Sequence, residues 1–438
     1  MTGDIIVTKA RTNNLKDFSV AIPKNKLVVF SGVSGSGKSS LLFNTIYAEA
    51  QRQLIDTFST FARKRMPKLS RPDVEDIQNL STAIIIDQKR MGNNLRSTVG
   101  TATEINSYLR ILFAKFGTPE VGPHYHFSFN HPEGMCSDCK GLGTRITVDL
   151  NLLLDKEKSL REGAITHPES KVNGWMWREL IALELFDNDK KLKHFSQEEL
   201  ERLLYSEPFP IEKKHGAGTY TKNYEGFARM LERRITTNAE DAGEKTNAYK
   251  QYYIYSNCGS CQGSRLNPRA SSVKISGVSL PDLWQLELTE ALSFLRQISN
   301  KEINSIISKP IALLKSLVEI GVGYLTLDRC VSTLSGGESQ RVKMARQLDC
   351  TLTDLMYIMD EPTIGLHASD TEKVMEMLHS IKNKGNSVIV VEHNPDVIRA
   401  AEWIVDIGPK AGIYGGNLVY SGSPEGLNET QSITGEYV

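Results

Sequence analysis

The sequence predicts an α/β fold in which one domain is interrupted by a long insertion. Near the amino terminus an apolar run, residues 26–31 (KLVVFS), leads into a glycine-rich turn and then into a helical pattern. Strand and helix patterns return from residue 355 (LMYIMD) onward. Between about 118 and 320, glycines, prolines, aromatics and mixed charges are interleaved without βα units. Helical, Lys- and Glu-rich patterns at about 151–250 predict that the inserted module is mostly helical.

Composition places the chain among ordinary globular proteins of two or three domains. It has 438 residues, with 52 Lys and Arg against 52 Asp and Glu, so its formal net charge is zero. Zero net charge does not exclude nucleic-acid binding, because a local basic face is what contacts phosphates. No apolar run is long enough to cross a bilayer, and the first residues do not resemble a signal peptide. We therefore expect a cytoplasmic protein.

The glycine-rich turn, residues 32–39 (GVSGSGKS), fits the phosphate-binding pattern G-x-x-x-x-G-K-[ST]. Its glycines let backbone amides approach phosphates, and the helix that follows points its positive end at them. The lysine adds charge to the outer phosphates, and the serine hydroxyl after it suits Mg²⁺. Because a strand and a helix flank the turn, a chance match is disfavoured. The expected nucleotide contacts here are Gly32, Ser34, Gly35, Ser36, Gly37, Lys38, Ser39 and Ser40.

Polar residues follow three further apolar strand patterns. Gln88 follows the strand STAIIID and is expected to join Ser39 in holding Mg²⁺. The strand LMYIMD ends in Asp360, which suits the Mg²⁺ shell, and Glu361, which suits polarising the attacking water. His393 ends the strand VIVVEH and is expected to sense the γ-phosphate. Each alone is an ordinary strand-end residue, but the order of phosphate-binding turn, glutamine, acid pair and histidine resembles that of ABC-type ATPases. The resemblance implies nucleotide hydrolysis, with Glu361, His393 and Gln88 as catalytic residues.

The run LSGGESQ, residues 334–340, precedes a helical pattern and resembles the signature of the ABC family. Ser335, Gly336 and Gly337 would offer a hydroxyl and bare amides to a γ-phosphate, although the same turn also caps helices well. The predicted fold is therefore an ABC-type P-loop ATPase domain with a large, mostly helical insertion, which also carries four paired cysteines, before the signature. In this class the signature completes the ATP site of an opposite cassette. The resemblance thus implies two cassettes, from two chains or from a missing second half.

Two CxxC pairs, each followed by glycine, indicate a zinc site. Its expected ligands are Cys136, Cys139, Cys258 and Cys261. Four reduced structural cysteines are a less favoured alternative, and His124 or His126 remains open as a further ligand. Cys330 and Cys350 are expected in core packing.

Beyond these motifs the chain resembles the UvrA family, the ATPase subunit of the bacterial excision-repair excinuclease. The resemblance rests on GVSGSGKSSLLFNTIYAEAQRQ, FSFNHPEGMCSDCKGLG, CGSCQGSRLNP and MDEPTIGLH. It implies ATP, Mg²⁺ and Zn²⁺ as cofactors and an ATP-dependent dimer that binds duplex DNA in repair. Two differences stand out. The family's UvrB-binding domain is replaced by residues 118–126 (TPEVGPHYH), so no UvrB-type helicase complex is expected, and only one cassette is present.

The DNA-binding expectation depends on basic residues near the cysteine pairs. Any single one is more often a solvated surface charge, so only their clustering is suggestive. The candidates are Lys140, Arg145, Lys222, Arg233, Arg234, Arg265 and Arg269. Two alternatives stay open: a DNA-free stress or antibiotic-resistance ATPase of the same branch, and a transporter ATPase subunit, against which the cysteine pairs argue.

The changes of pattern predict three segments. Residues 1–117 form the first part of the ATP-binding domain, and 321–438 form the signature helix with its second part. Residues 118–320 form the signature and zinc domain, with the helical insertion at about 151–250. A short closing hairpin is expected in the run GGNLVYSGSPEGL near the carboxyl end.

Overall fold

The computed structural model describes residues 3–89, 91–92, 94–215, 218–237, 249–299, 301–430 and 432–438. It divides into two compact units, each assembled from separate stretches of the chain. The first unit comprises Met1–Arg90, Leu286–Thr326 and Leu334–Val438, and the second comprises Met91–Gln285 and Leu327–Thr333.

The first unit is built on a six-stranded sheet, which confirms the predicted α/β fold. Its strand order is β15-β14-β3-β13-β12-β5, and all neighbours are parallel except the edge strand β15. The central strands β3 and β13 are buried along their whole length, as expected when both faces of a parallel sheet are covered. The strands are β3 (Leu27–Ser31), β5 (Ala83–Ile86), β12 (Met356–Asp360), β13 (Ser387–Val391), β14 (Trp403–Gly408) and β15 (Asn417–Gly422).

A smaller antiparallel sheet packs against the same core. It has the order β2-β1-β4, with β1 (Ile5–Ala10), β2 (Phe18–Ile22) and β4 (Asp76–Gln78). Along β1 and β2 buried and exposed residues largely alternate, as in a sheet with one face on a core. Of the hairpin expected in the run GGNLVYSGSPEGL, one strand, β15, lies in that run, and it pairs antiparallel with β14, which precedes the run.

The helices of the first unit cover the large sheet and carry the signature. A π-helical turn, Leu42–Tyr47, joins α1 to α2. Helix α13 packs against both α12 and the signature helix α14, which is why residues 286–320 belong to this unit although the sequence pattern assigned them to the signature and zinc domain. These helices are α1 (Lys38–Leu41), α2 (Ala48–Asp56), α3 (Thr60–Arg63), α12 (Leu288–Gln297), α13 (Asn304–Leu317), α14 (Gly336–Gln347), α15 (Ala368–Asn383) and α16 (Pro395–Arg399).

The second unit contains the cysteine pairs and the insertion. Strands β6 (Thr144–Val148) and β9 (Tyr253–Asn257) pair antiparallel, with Val148 opposite Tyr253. The chain between these two residues forms its own apolar core, which includes Leu153, Leu203 and Leu231. The helices of this unit are α4 (Val99–Ala102), α5 (Ile105–Phe116), α6 (Leu150–Leu153), α7 (Trp175–Ile181), α8 (Gln197–Tyr205), α9 (Phe227–Thr237), α10 (Pro268–Ser271) and α11 (Leu280–Gln285).

Besides helices, the insertion contains a hairpin that the sequence pattern did not indicate. Strands β7 (Phe209–His215) and β8 (Gly218–Tyr224) pair antiparallel. Phe209, Ile211 and Tyr224 pack against the core of the insertion, but the apolar alternation they make is too short for a strand to be recognised from it. A two-stranded sheet, β10 (Lys274–Ile275) with β11 (Val278–Ser279), completes the unit. Within the described residues, no helix combines the length and apolar character that a membrane span requires.

Candidate functional site

The phosphate-binding turn has the backbone conformation that only glycine adopts easily. Gly32, Gly35 and Gly37 have φ angles of 125°, 75° and 120°. A Cβ atom on Gly32 would lie 2.1 Å from the carbonyl oxygen of Ile407. A larger residue at position 32 would therefore displace β14 or open the turn.

Lys38 lies across this turn. Its Nζ donates hydrogen bonds to the carbonyl oxygens of Gly32 at 2.8 Å and Val33 at 2.9 Å. Burial lowers the pKa of Lys38, whereas the charges of Glu361 and Asp406 act in the opposite direction. The ammonium group is thus held among acidic side chains, where a nucleotide phosphate would meet it.

The serines of the turn have different surroundings. Ser34 and Ser39 are exposed, while Ser36 is fully buried and its amide donates to the carbonyl of Val33 at 3.1 Å. The Ser40 hydroxyl donates to Asn14 Oδ1 at 3.1 Å. Asn14, which the sequence pattern did not single out, also donates from Nδ2 to the carbonyl oxygens of Ser36 and Gly412, both at 3.2 Å. These hydrogen bonds of Asn14 hold the phosphate-binding turn in place on the side of the smaller antiparallel sheet.

Two carboxylates and a histidine meet at the carboxyl ends of β12 and β13. His393 Nε2 lies 3.6 Å from Glu361 Oε1. Burial and the nearby charge of Lys38 lower the pKa of His393, so the imidazole is neutral at physiological pH. Glu361 has a φ of 42°, an uncommon backbone conformation for a non-glycine residue, and its amide donates to the carbonyl of Val391 at 2.9 Å.

Asp360 lies in a setting that favours a bound cation. Burial and repulsion from Glu361 raise the pKa of its carboxyl group, so a divalent ion beside it would stabilise the ionised form. Asp360 and Ser39 line the same cleft. These two residues therefore fit the Mg²⁺ site expected from the sequence.

The signature helix holds the segment that contains Gln88. Gln340 Nε2 donates to the carbonyl oxygen of Asp360 at 2.8 Å and to the last carbonyl of β5 at 3.1 Å. Lys343 pairs with Asp87 at 2.8 Å. Gln88 Nε2 is 3.4 Å from the carbonyl oxygen of Asp360, a weak hydrogen bond. The side-chain amide of Gln88 therefore lies close to the main chain of Asp360, next to the two carboxylates.

The signature turn is also a helix cap. Ser335 Oγ accepts from the amide of Glu338 at 3.2 Å, and Glu338 Oε2 accepts from the amide of Ser335 at 2.7 Å. This capping box was the alternative explanation of the motif. The two explanations are compatible, because a hydroxyl that accepts one hydrogen bond retains its own proton to donate. Gly336 lies against Gln88, since a Cβ there would be 3.2 Å from the Gln88 carbonyl oxygen.

Glu392, the residue before the histidine, connects two loops of the site. It is 3% exposed, and its Oε1 accepts from the Thr363 amide at 2.9 Å and hydroxyl at 2.6 Å. Its Oε2 accepts from the amides of His393 at 2.9 Å and Asn394 at 3.2 Å. One buried carboxylate thereby joins the loop after Glu361 to the loop that carries His393. The sequence analysis missed Glu392, because nothing local distinguishes it from a surface acid.

We expect Glu392→Gln to reduce kcat for ATP by about tenfold or more with little change in ATP affinity. The side-chain amide of the glutamine would place N–H donors against backbone N–H donors. Each charged hydrogen bond lost costs about 1.5–3 kcal/mol. Steady-state kinetics separate kcat from KM. Glu402→Gln is the matched control, because Glu402 also accepts a backbone hydrogen bond, from Leu27 at 2.9 Å, at the opposite end of the sheet. Equal losses of kcat in both variants would contradict a local role.

The four cysteines of the CxxC pairs come together in the second unit. Their sulfur atoms all lie within 4.8 Å of one another, with Cys136 Sγ 3.9 Å from Cys258 Sγ and Cys139 Sγ 3.6 Å from Cys261 Sγ. Zn–S bonds of about 2.3 Å in a tetrahedron place sulfurs about 3.8 Å apart. The cluster therefore fits zinc.

Backbone amides donate to sulfur atoms of this cluster, although burial raises the pKa of Cys139 to about 12. The amide of Gly143 donates to Cys139 Sγ at 3.2 Å. Although burial acts in the opposite direction, backbone N–H groups of Cys261 and Ser260 lower the pKa of Cys258 to about 7. Zinc bound here would carry a structural role, because four protein ligands leave no open position.

We expect one zinc ion per chain, which Cys258→Ser removes. Loss of one thiolate leaves three ligands, too few for a closed structural site. Metal analysis of the purified protein measures the ratio, and Cys330→Ser, which lies outside the cluster, is the control. Full zinc content in the Cys258 variant would show that the ligand assignment is wrong.

The other cysteines and histidines do not join this cluster. Among the described residues, the candidate metal-binding group contains cysteines alone, so neither His124 nor His126 is part of it. Their rings flank Tyr125 instead, at centroid distances of 6.0 and 4.9 Å. Cys330 and Cys350 are half-buried free thiols rather than fully buried core residues.

Three of the proposed DNA contacts gather in one cleft of about 740 Å³. Lys140, Arg145 and Arg233 line it, together with Arg229, which the sequence did not single out. Arg229 and Arg233 form ion pairs with Glu207 and Glu225, which lie outside the lining. The lining also includes Asp138 and Glu232, so four cations from the cysteine-bearing loops and the insertion face two acids. We call it the basic cleft.

The remaining candidates have other surroundings. Arg265 is half-buried, its guanidinium 5.2 Å from the centre of the Phe129 ring and 3.4 Å from the carbonyl oxygen of Asp328, so it is less available to DNA phosphates than an exposed cation. Arg234 pairs with Glu169 at 3.0 Å. Arg269 is exposed, and the side chain of Lys222 lies outside the described residues.

Comparison with known proteins places these features in a family. The family model "UvrA DNA-binding domain" matches residues 149–246, the insertion. The UvrABC system protein A of Paucimonas lemoignei is 35% identical over all of this chain and 68% of its own length, and that of Mycoplasmopsis pulmonis is 33% identical over 98% and 62%. The crystal structure of UvrA2 from Deinococcus radiodurans superposes with a TM-score of 0.85 at 34% identity, covering the whole chain and 58% of that protein. The chain thus spans about three fifths to two thirds of these relatives.

Proposed function

The chain belongs to the UvrA family and is an ABC-type ATPase, and from that premise we propose that it binds duplex DNA as an ATP-dependent dimer in DNA repair. The ATP chemistry is proposed from the arrangement at the ends of β12 and β13. There Glu361 lies 3.6 Å from His393 and interacts electrostatically with Lys38. That arrangement is the observation that carries the assignment.

Each residue of this group has a proposed role. Lys38 neutralises charge on the outer phosphates, and backbone amides of the glycine-rich turn bind the others. Glu361 accepts a proton from, or orients, the attacking water, while neutral His393 donates a hydrogen bond to the γ-phosphate. Ser39, Asp360 and Gln88 would hold Mg²⁺, which neutralises the phosphate oxygens when bound.

The dimer is proposed from the signature turn. The hydroxyl proton of Ser335 and the amides of Gly336 and Gly337 have the chemistry to bind a γ-phosphate at the start of helix α14. In an ABC-type arrangement that phosphate belongs to the nucleotide of a second cassette. A second copy of this chain would supply it.

We expect ATP to convert the protein from monomer to dimer when hydrolysis is prevented. Light scattering of the Glu361→Gln variant with and without ATP measures the mass. Ser335→Arg is the control, because a bulky cation at the signature would prevent closure while leaving the phosphate-binding turn intact. A mass that stays monomeric with saturating ATP would contradict the dimer.

DNA binding is proposed from the basic cleft and from the family match over the insertion. Lys140 and Arg145 are exposed, and the charge of Arg145 also acts on Glu232 in the same cleft. Exposed cations of this kind contact phosphates without reading sequence. We therefore propose that the contact is to the backbone of the duplex.

The proposed assembly excludes a UvrB-type helicase. The alignment with the M. pulmonis relative extends over 595 positions, whereas this chain has 438 residues, so that relative carries sequence that this chain lacks. The short segment 118–126 is where we place the missing domain. We further propose a cytoplasmic location, as repair of chromosomal DNA requires.

A further inference from the structure

A buried carboxylate lies beside the start of the phosphate-binding turn and has no part in the proposed chemistry. Asp406 of β14 is 2% exposed and pairs in register with Ser31, the last residue of β3. Its Oδ1 accepts a hydrogen bond from the Ser31 hydroxyl at 2.6 Å. The turn begins at the next residue, Gly32, so a contact that holds Ser31 also holds the first glycine of the turn. Asp406 can therefore set the position of the turn through Ser31.

The other hydrogen bonds of Asp406 come from a different part of the chain. The Ser432 hydroxyl donates to Oδ2 at 2.6 Å, and the Thr434 hydroxyl donates to Oδ1 at 2.9 Å. Ser432 is 2% exposed, so water does not compete for its hydrogen bond. Residues 432–437, here called the docking segment, thereby supply two of the three hydroxyl groups that bond to this carboxylate in the described part of the chain.

These hydroxyls replace the water that a buried carboxylate loses, without which its burial would be costly. If the docking segment left, the carboxylate of Asp406 would keep the Ser31 hydroxyl and turn towards water or towards Lys38, with whose charge it already interacts. Either movement would shift Ser31 or the ammonium group of Lys38, which bonds to the carbonyl oxygens of the turn. The docking segment and the shape of the turn are therefore coupled.

We propose that Asp406 is a positioning residue for the nucleotide, and that it holds the phosphate-binding turn in its binding conformation only while the docking segment supplies the Ser432 and Thr434 hydroxyls. The inference rests on the proposed assignment of residues 32–39 to the ATP phosphates. Because coupling between two sites is reciprocal, ATP would hold the docking segment in place by the same factor. A polar cluster that only stabilised the fold would show no such preference for the nucleotide-bound state.

The first test removes the two hydroxyls of the docking segment. The double variant Ser432→Ala, Thr434→Val is expected to raise KM for ATP about tenfold, a usual size for coupled sites, and to change kcat by less than about threefold. Partial unfolding would instead lower kcat at constant KM, because it removes active enzyme. Thr434→Ser keeps a hydroxyl and should match the wild type. Ser81→Ala is the control, since the buried Ser81 donates to Asp354 at 3.0 Å, before the amino end of β5.

A double-mutant cycle shows whether the two hydroxyls act through the carboxylate. Asp406→Ala is expected to raise KM at least as much as the double variant, and adding Ser432→Ala and Thr434→Val to it should raise KM no further. A further rise would place the effect of the hydroxyls elsewhere and contradict the inference. The double variant keeps both Asp406 and Ser31, so it tests the coupling even where Asp406→Ala does not fold.

The reciprocal effect is measured by hydrogen exchange. The amide of Gly435 donates to the Ser432 hydroxyl at 3.3 Å, and the amide of Tyr437 donates to the Thr434 carbonyl at 3.1 Å. A non-hydrolysable ATP analogue is expected to slow the exchange of both amides about tenfold. The Ser335→Arg variant is used, so that the protection cannot come from a dimer contact. Equal exchange with and without the analogue would contradict the coupling.

The inference and the proposed phosphate site fail in different ways. If Lys38→Ala binds ATP as tightly as the wild type, residues 32–39 are not the phosphate site, and the inference fails with that assignment. If Lys38→Ala loses ATP while the double variant keeps the wild-type KM, the assignment stands and the inference alone is wrong. The inference is also wrong if Ser81→Ala raises KM equally, since loss of any buried serine would then have the same effect.

Discussion

Glu361→Gln is expected to leave ATP binding intact and to slow ATP hydrolysis by about 100- to 1,000-fold. The substitution keeps the size of the side chain but removes the basic oxygen that takes up a proton from water. The phosphate contacts come from Lys38 and the glycine-rich turn, which the substitution does not touch. Phosphate release measures turnover, and a fluorescent ATP analogue measures affinity.

The control for this variant is Glu376→Gln, an exposed acid on α15. It makes the same chemical change away from the site and is expected to turn over ATP at the wild-type rate. Turnover of the Glu361 variant near that rate would move the catalytic role to another group. Loss of ATP binding in the same variant would instead show that Glu361 supports the fold of the site, where its φ of 42° already marks an unusual backbone.

Duplex DNA binding is expected to require ATP and to weaken by about a thousandfold between 50 and 200 mM salt. Closure of two cassettes would bring two copies of the basic cleft to one duplex. Roughly six to ten phosphate contacts across the pair give a salt dependence of that size. Lys38→Ala is expected to weaken DNA binding through loss of ATP. Anisotropy of a labelled duplex, with and without a non-hydrolysable analogue, measures both effects.

Two further variants locate the contact. Arg145→Ala should weaken duplex binding because it removes one cation from the cleft. The slope of log affinity against log salt concentration should fall by about one. Arg161→Ala removes an exposed cation of the insertion that is paired with Asp189 and lies outside the cleft lining, and should have little effect. Binding that is indifferent to nucleotide and salt would favour the alternative of a DNA-free stress or resistance ATPase.

The fold class and the family were predictable from sequence because their signals are local. A glycine-rich turn behind an apolar strand, carboxylates at the end of another strand, and paired cysteines before glycines each occupy a few consecutive residues. The structure brings the motif residues of the first unit to one edge of its sheet and the four thiols to one point. The catalytic roles of these residues remain predictions for the experiments above.

The features that the sequence did not reveal depend on contacts between residues that are far apart in the chain. Glu392 matters because Thr363, far away in the chain, is placed against its carboxylate. Arg265 resembled a surface cation until its packing on Phe129 was visible. The apolar stripe of the β7–β8 hairpin, Phe209, Ile211 and Tyr224, is too short to predict its pairing. The segment boundaries predicted from composition also differ from the boundaries of the two units. Residues 286–320 belong to the nucleotide-binding unit because their helices pack against its helices, which composition does not reveal.

The antiparallel pairing of β6 and β9 gives the insertion one further property. Because Val148 stands opposite Tyr253, the chain leaves for the insertion and returns from it about 5 Å apart. A module attached at two adjacent points does not force the strands that carry it apart. Its length can therefore change without moving the cysteine-bearing loops apart, as long as α9 keeps its packing on β6 and Ile235 keeps its place in the core around the cysteines.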